Sequence, residues 1–202
     1  MTKILAASDI HGDRKAIERI VKRAGENKVD VVVLCGDILL SDFDADNMVG
    51  LLADNGIETL IIPGNHETDA TVEFLSALYK PLIKNIHCKT HVKNDVGFFG
   101  CGGANIGLFQ LDDAYTKNKL KYSHEIIKNL NKKIMVTHAP PFDTKVDDLG
   151  VPAGSEGVRE AIEELQPDLC LCGHIHETAG LTDRIGRTKI INVGKNGVII
   201  DI

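Results

Sequence analysis

Leu60-Ile61-Ile62-Pro63-Gly64-Asn65-His66-Glu67 is the stretch whose reading decides the fold. Its apolar run stops abruptly at a glycine, a carboxamide, an imidazole and a carboxylate. A buried strand hands over to a reactive loop in this way at its carboxyl end. The following helix is expected from about Asp69, which leaves Asn65 and His66 on the turn between. By itself a Gly-Asn turn after a strand is ordinary punctuation. It gains force because four other apolar runs finish alike. Ile4 to Ser8 ends in Asp9-Ile10-His11, and Val29 to Cys35 in Gly36-Asp37. Lys133 to Thr137 ends in His138-Ala139-Pro140-Pro141, and Leu169 to Cys172 in Gly173-His174-Ile175-His176.

Helical patterns separate these strands. Asp13 is placed to cap a helix with Ala16, Ile17, Ile20, Val21 and Ala24 on one stripe and Gly25 past its end. A short helix is expected around Met48 to Ala53, after the acidic loop Asp42 to Asp46, which reads as solvated. Another is expected from Asp69 to Tyr79 with Val72, Leu75 and Leu78 inward, stopped by Pro81. Asn85 to Gly103 reads as two or three short strands with a turn at Asn94-Asp95-Val96-Gly97. Gly100 opens a long irregular loop to about Lys121. Next comes a helix capped by Ser123, with Tyr122 stapled on Ile127 and with Ile126 and Leu130 inward. Ser155 caps a helix carrying Val158, Ala161, Ile162 and Leu165, which Pro167 ends. Two last strands, Lys189 to Val193 and Val198 to Ile202, read as a hairpin across Lys195-Asn196-Gly197.

Composition narrows the function. The 202 residues suit a single α/β domain, 1–202, and 43% apolar content suits a packed core. A formal charge of −6 disfavours sequence-independent grip on nucleic acid. No apolar run is long enough to span a membrane, and the amino terminus enters a strand without a signal peptide. A cytoplasmic location is expected, with Cys35, Cys170 and Cys172 as reduced core thiols. His87-Cys88-Lys89-Thr90-His91 has the look of a metal clip, but no partner cysteine pair is evident and it reads as surface strand. His124 reads as solvated.

Five strand ends therefore carry Asp9, His11, Asp37, Asn65, His66, His138, His174 and His176. In a strand–helix protein those ends share one edge, so the groups should converge. Desolvating such a cluster is costly unless divalent cations hold it together. Seven candidate donors exceed what one ion takes and suit two ions sharing a carboxylate, roughly 3.5–4 Å apart. Mixed imidazole, carboxylate and carboxamide donors suit Mn, Fe, Zn, Co or Ni, with Mn best placed to support activity.

The ordered set Asp9-x-His11, Gly36-Asp37, Gly64-Asn65-His66-Glu67, His138 and Gly173-His174-x-His176 resembles the calcineurin-like metallophosphoesterase superfamily, in its small stand-alone prokaryotic form. The resemblance implies an α/β fold, an αββα sandwich of two mixed sheets flanked by helices. It implies one metal held by Asp9, His11, Asp37 and His176. It implies a second held by Asp37, Asn65, His138 and His174, with Asp37 bridging. His66 would be the general acid rather than a ligand, and Glu67 would support the site from behind. The acidic residue that pairs with this histidine in the family's phosphoprotein phosphatases is replaced by Leu40. Asp42 and Asp44 are the nearby alternatives. Many relatives also have Gly-Ser where this chain has Gly194-Lys195.

The expected function is hydrolysis of a small phosphate ester, a phosphodiester for preference. A metal-bridged hydroxide attacks phosphorus and His66 protonates the leaving oxygen. The alternatives are a phosphomonoesterase, a pyrophosphohydrolase, or a catalytically silent binding module of the same fold. Ser155 is either a plain N-cap or a phosphate contact at a helix amino end. Specificity should lie in the Gly100 to Lys121 and Pro140 to Gly154 loops.

Overall fold

The computed structural model describes residues 1–40 and 48–202. The acidic loop at Asp42, Asp44 and Asp46 lies outside the described residues. Among the described residues eleven strands form two sheets. The first has order β11-β1-β2-β3-β4, from β1 (Lys3–Ala7), β2 (Val31–Leu34), β3 (Thr59–Ile61), β4 (Ile83–Asn85) and β11 (Val198–Asp201). The second has order β5-β6-β7-β8-β10-β9. It contains β5 (Thr90–Lys93), β6 (Val96–Cys101), β7 (Lys132–Thr137), β8 (Leu169–Cys172), β9 (Thr182–Ile185) and β10 (Thr188–Asn192). β1 to β4 run parallel, as do β6, β7, β8 and β10; β5, β9 and β11 are antiparallel edges.

The strands are continuous apolar runs because both faces of each sheet are covered. Ile4, Ala6, Val31, Val33, Leu60 and Ile62 meet Phe98, Ile134, Val136, Leu169 and Leu171 between the sheets. The alternate residues, Leu5, Ala7, Val32 and Leu34, pack on α1 (Arg14–Asn27), α2 (Gly50–Asp54) and α3 (Asp69–Leu78). On the far side Phe99, Met135, Cys170 and Ile190 pack on α4 (Asp113–Ile127) and α5 (Glu156–Leu165). The result is the expected four-layer αββα arrangement.

Several elements differ from the sequence reading. α1 does not stop before Gly25; it runs to Asn27, and Lys28 closes it in the left-handed region (φ 53°). Leu78 is 56% exposed, at the last turn of α3. α4 starts ten residues before Ser123, capped by Asp112, which accepts the Tyr115 amide (3.0 Å). Its buried stripe is Thr116, Leu120, Ser123 and Ile127. Two of those four are hydroxyl residues, so the helical period is hidden from an apolar count. Tyr122 and Ile126 face solvent, and no staple forms.

The carboxyl-terminal hairpin is also corrected. β10 and β11 belong to different sheets, and Gly194 to Gly197 is a turn that carries the chain across. Asn-Gly marks a turn but not the partners of the strands beside it. The true hairpin joins β9 to β10. β9 was not legible because Thr182-Asp183-Arg184-Ile185 buries only its last side chain. The turn at Asn94-Asp95 is present, both residues at positive φ, as a tight hairpin needs.

Candidate metal centre

All the predicted site residues follow the carboxyl ends of parallel strands: Asp9 and His11 after β1, Asp37 after β2, Asn65 and His66 after β3, His138 after β7, and His174 and His176 after β8. The two sheets thus offer one shared edge. Asp9 (φ 59°) and His11 (φ 50°) reach the cluster from the left-handed region rather than from an extended chain. Asp37 (φ 51°) and His174 (φ 70°) are left-handed too. Non-glycine residues seldom occupy this region, and such strain collects at functional sites.

Asp37 is the hub. Its Oδ2 lies 3.6 Å from His11 Nε2, 3.4 Å from His138 Nε2 and 4.0 Å from His66 Nε2. Its Oδ1 accepts the His66 amide (3.0 Å). Around it stand Asp9, His11 and His176, then Asp37, His138 and His174, and also His11, Asp37 and His66, the donor atoms of each set lying within 4.8 Å of one another. His11 Nε2 is 3.2 Å from His176 Nε2, which is 3.5 Å from Asp9 Oδ1. Asn65 joins the second group, its Oδ1 being 3.1 Å from His138 Nε2. Asp9 also accepts the His174 amide with both oxygens (3.1 Å each).

The donor chemistry fits divalent cations. His138 Nδ1 donates to the Cys35 carbonyl (2.8 Å), which leaves Nε2 to face Asn65 Oδ1 and Asp37 Oδ2. In the neutral ring that a bound cation would require, Nε2 is a lone pair facing two more acceptors, a place that either a proton or a cation must fill. His11 and His176 present Nε2 to Nε2 beside a carboxylate. Clusters of acceptors aimed at common points are what a cation resolves.

Burial sets the electrostatics. By itself it would raise Asp37 and lower His138. The contact between them prevails, holding Asp37 far below the carboxylate range and raising His138 to about 9. Burial, followed by the neighbouring His138, pushes His174 down to about 4, and burial also lowers His11. Behind the cluster Glu67 is almost wholly buried, accepting the Ile38 (3.0 Å) and Gly64 (3.2 Å) amides with Oε1. Burial and then the Asp37 charge push it up to about 8.

The glycines before the ligands have steric causes. A Cβ on Gly64 would stand 1.9 Å from Asp37 Oδ1, and one on Gly173 1.9 Å from Ser8 Oγ. Other supporting groups left no sequence signal. His66 Nδ1 lies 3.2 Å from the Leu40 carbonyl, so main chain holds the ring. Asn192 donates to the Ile175 carbonyl (2.7 Å) and Thr178 Oγ1 (2.9 Å), fixing the turn that carries His176.

Ser155 is a buried N-cap. Its Oγ accepts the Val158 amide (3.1 Å) and donates to Asp113. His124 is partly buried, its ring against Phe99 (5.4 Å). His91 pairs with Glu58 (2.9 Å) rather than with Cys88. Among the described residues no Lys or Arg pairs with the predicted ligands. No helix among them is long and apolar enough to cross a membrane.

A family model described as calcineurin-like phosphoesterase matches residues 2–178. The chain belongs to that family. It is 32% identical over 200 residues to the uncharacterized protein MJ1162 of Methanocaldococcus jannaschii, covering 94% of this chain and 87% of the other. Among solved structures it is similar to TT1561 of Thermus thermophilus, with TM-score 0.77, 20% identity, and 96% and 90% of the two chains covered. A structure described as a novel archaeal phosphodiesterase matches with TM-score 0.53 and 16% identity, covering 96% and 84%. At those identities the structures establish the fold. Family membership makes phosphoester chemistry with metal ions the frame for the Asp and His clusters.

Proposed function

We propose that the protein hydrolyses a small phosphodiester at a dinuclear metal centre. Asp9, His11, Asp37 and His176 would hold one ion and Asp37, Asn65, His138 and His174 the other. The observation that carries this reading is Asp37, within 3.6 Å of imidazoles from both groups. Bound there, two cations such as Mn supply hydroxide at neutral pH and offset charge on the phosphoryl oxygens.

The chain's own residues do the rest. His138 is fixed in tautomer by Cys35, and Asp37 is ionised at every physiological pH. His66 stands outside the ligand set with Nε2 toward Asp37 and its other nitrogen on the Leu40 carbonyl. The hydrogen bond from Nδ1 to that carbonyl orients the ring with Nε2 toward the site, from which a proton would pass to the leaving oxygen. Among the described residues lining the pocket at Asp9 and His176, Lys195 is the one Lys or Arg, which suits the single charge of a diester better than the two of a monoester. Ser155 has its hydroxyl committed to the cap and to Asp113, which favours a structural role.

The test is hydrolysis of bis(4-nitrophenyl) phosphate by manganese-loaded protein, with 4-nitrophenyl phosphate alongside. Diester turnover that a chelator abolishes and manganese restores supports the reading. Faster monoester turnover would move the substrate to the alternative class. Stoichiometric metal without turnover of either would leave a binding module.

A further inference from the structure

Away from the candidate metal centre, His87, Cys88 and Cys101 bring their donor atoms within 4.8 Å of one another. The sequence showed two of these three residues together. Cys101 ends β6, and an isolated bridge between His87 and Gly100 lays it beside Cys88. The two sulfurs are 3.9 Å apart, and the Tyr115 hydroxyl is 3.9 Å from Cys88 Sγ.

Two chemistries suit two sulfurs and an imidazole. Thiolates on a tetrahedral zinc are spaced roughly 3.8 Å for bonds of about 2.3 Å, so distance alone does not separate a cation site from a redox pair. The histidine does. His87 Nδ1 accepts the Gly102 amide (3.0 Å), so in the neutral ring the proton is on Nε2, and the ring stands within 4.8 Å of both sulfurs. An imidazole whose one lone pair already accepts an amide has none left for a cation, but its N–H beside a sulfur favours a thiolate.

We propose that Cys88 and Cys101 form a peroxide-reactive dithiol in which Cys88 attacks and Cys101 resolves. The Cys88 thiolate takes one oxygen from the peroxide. The O–O bond breaks, and the other oxygen leaves as water once protonated. Cys101 sulfur then attacks the Cys88 sulfenic acid. The S–S bond forms, the S–O bond breaks, and the oxygen leaves as a second water carrying the Cys101 proton. Two thiols lose two electrons and one hydrogen peroxide becomes two waters.

The order of attack follows from the environment. Cys88 is half-buried, whereas Cys101 is 1% exposed. The Cys101 sulfhydryl donates to Cys88 and is the chief cause of its lowered pKa; burial opposes, and His87 and Tyr115 assist. The same contact, followed by burial, pushes Cys101 up. The remaining thiols, Cys35, Cys170 and Cys172, are fully buried and raised by burial, so they serve as internal controls.

The full-length protein is treated with equimolar hydrogen peroxide, denatured in iodoacetamide and weighed. The expected product is lighter by about 2 Da before alkylation, with a cross-link between Cys88 and Cys101 in the peptide map. At pH 7 native Cys88 should alkylate roughly tenfold faster than an unperturbed thiol, with no dependence on EDTA. Cys101→Ser should stop at a sulfenic acid on Cys88 that dimedone captures, and Cys88→Ser should leave Cys101 unreacted. Both sulfurs alkylating after peroxide would overturn the proposal, as would a zinc ion that protects both until EDTA removes it. The wild-type arms do not depend on the variants folding.

Discussion

Asp147 is fully buried in the loop between β7 and α5, and replacing it tests how that loop is held. Its Oδ1 accepts the Thr144 amide (2.7 Å) and hydroxyl (3.1 Å). Its Oδ2 accepts the amides of Asp143 (3.1 Å), Ala153 (3.1 Å) and Gly154 (2.9 Å). Hydrogen bonds to a charged acceptor contribute about 1.5–3 kcal/mol each, but they do not add, and a relaxed loop rehydrates part of the loss. Asp143 and Thr144 lie near solvent, whereas Gly154 is buried. Counting mainly the donors that water reaches poorly, Asp147→Ala should cost about 3–4 kcal/mol. Asp147→Asn keeps the shape and puts an NH2 where one oxygen was. Turned toward Thr144, it spares the three Oδ2 bonds, so about 2 kcal/mol is expected. The assay is reversible urea unfolding. With a slope near 2 kcal/mol per molar, the midpoint should fall by about 1.5–2 M for Ala and about 1 M for Asn. Hydrogen exchange at the Gly154 and Ser155 amides should rise in parallel, which separates local opening from global loss. A midpoint within about 0.3 M of wild type for Ala, with unchanged exchange, would refute the reasoning.

Four further outcomes follow from the same geometry. His66→Ala should slow hydrolysis of an alkyl phosphodiester by about 10²-fold or more, and of a nitrophenyl diester only severalfold, because the latter leaves without a proton; equal losses would remove the general-acid role. Asp37→Asn should carry fewer than one manganese per chain after gel filtration, read by elemental mass spectrometry, and retention of two would exclude a bridging carboxylate. Gly173→Ala, whose Cβ would meet Ser8 Oγ at 1.9 Å and Asp9 Oδ2 at 2.6 Å, should lose about 1–3 kcal/mol in a urea melt together with activity. Glu58 would be raised by burial but is lowered to about 2 by hydrogen bonds from Lys84 and Lys93 (2.7 Å each). Its contribution, on the order of 2–3 kcal/mol, is therefore full above about pH 4.5 and lost as pH falls toward 2; Glu58→Gln should flatten that acid limb, and an unaltered limb would show that other carboxylates carry it.

The sequence alone determined which side chains could form the centre, and the family that their ordered motifs resemble implied the αββα class. Strand ends were legible because strands buried on both faces are nearly unbroken apolar runs, as Val31–Leu34 and Leu169–Cys172 are. The glycines before Asp37, Asn65 and His174 were legible as turns, and a Cβ on them would strike His138 Nδ1, Asp37 Oδ1 and Ser8 Oγ respectively. What packs through polar atoms stayed out of sight. α4 was hidden because Thr116 and Ser123 fill half its inward stripe. The orienting group for His66 is the Leu40 carbonyl, and main chain carries no residue code. The nearness of Cys88 to Cys101, and the assignment of β10 and β11 to different sheets, were decided only by the tertiary structure. Contacts between distant segments depend on how two sheets stack, and local pattern records which face a side chain takes but not what stands opposite it.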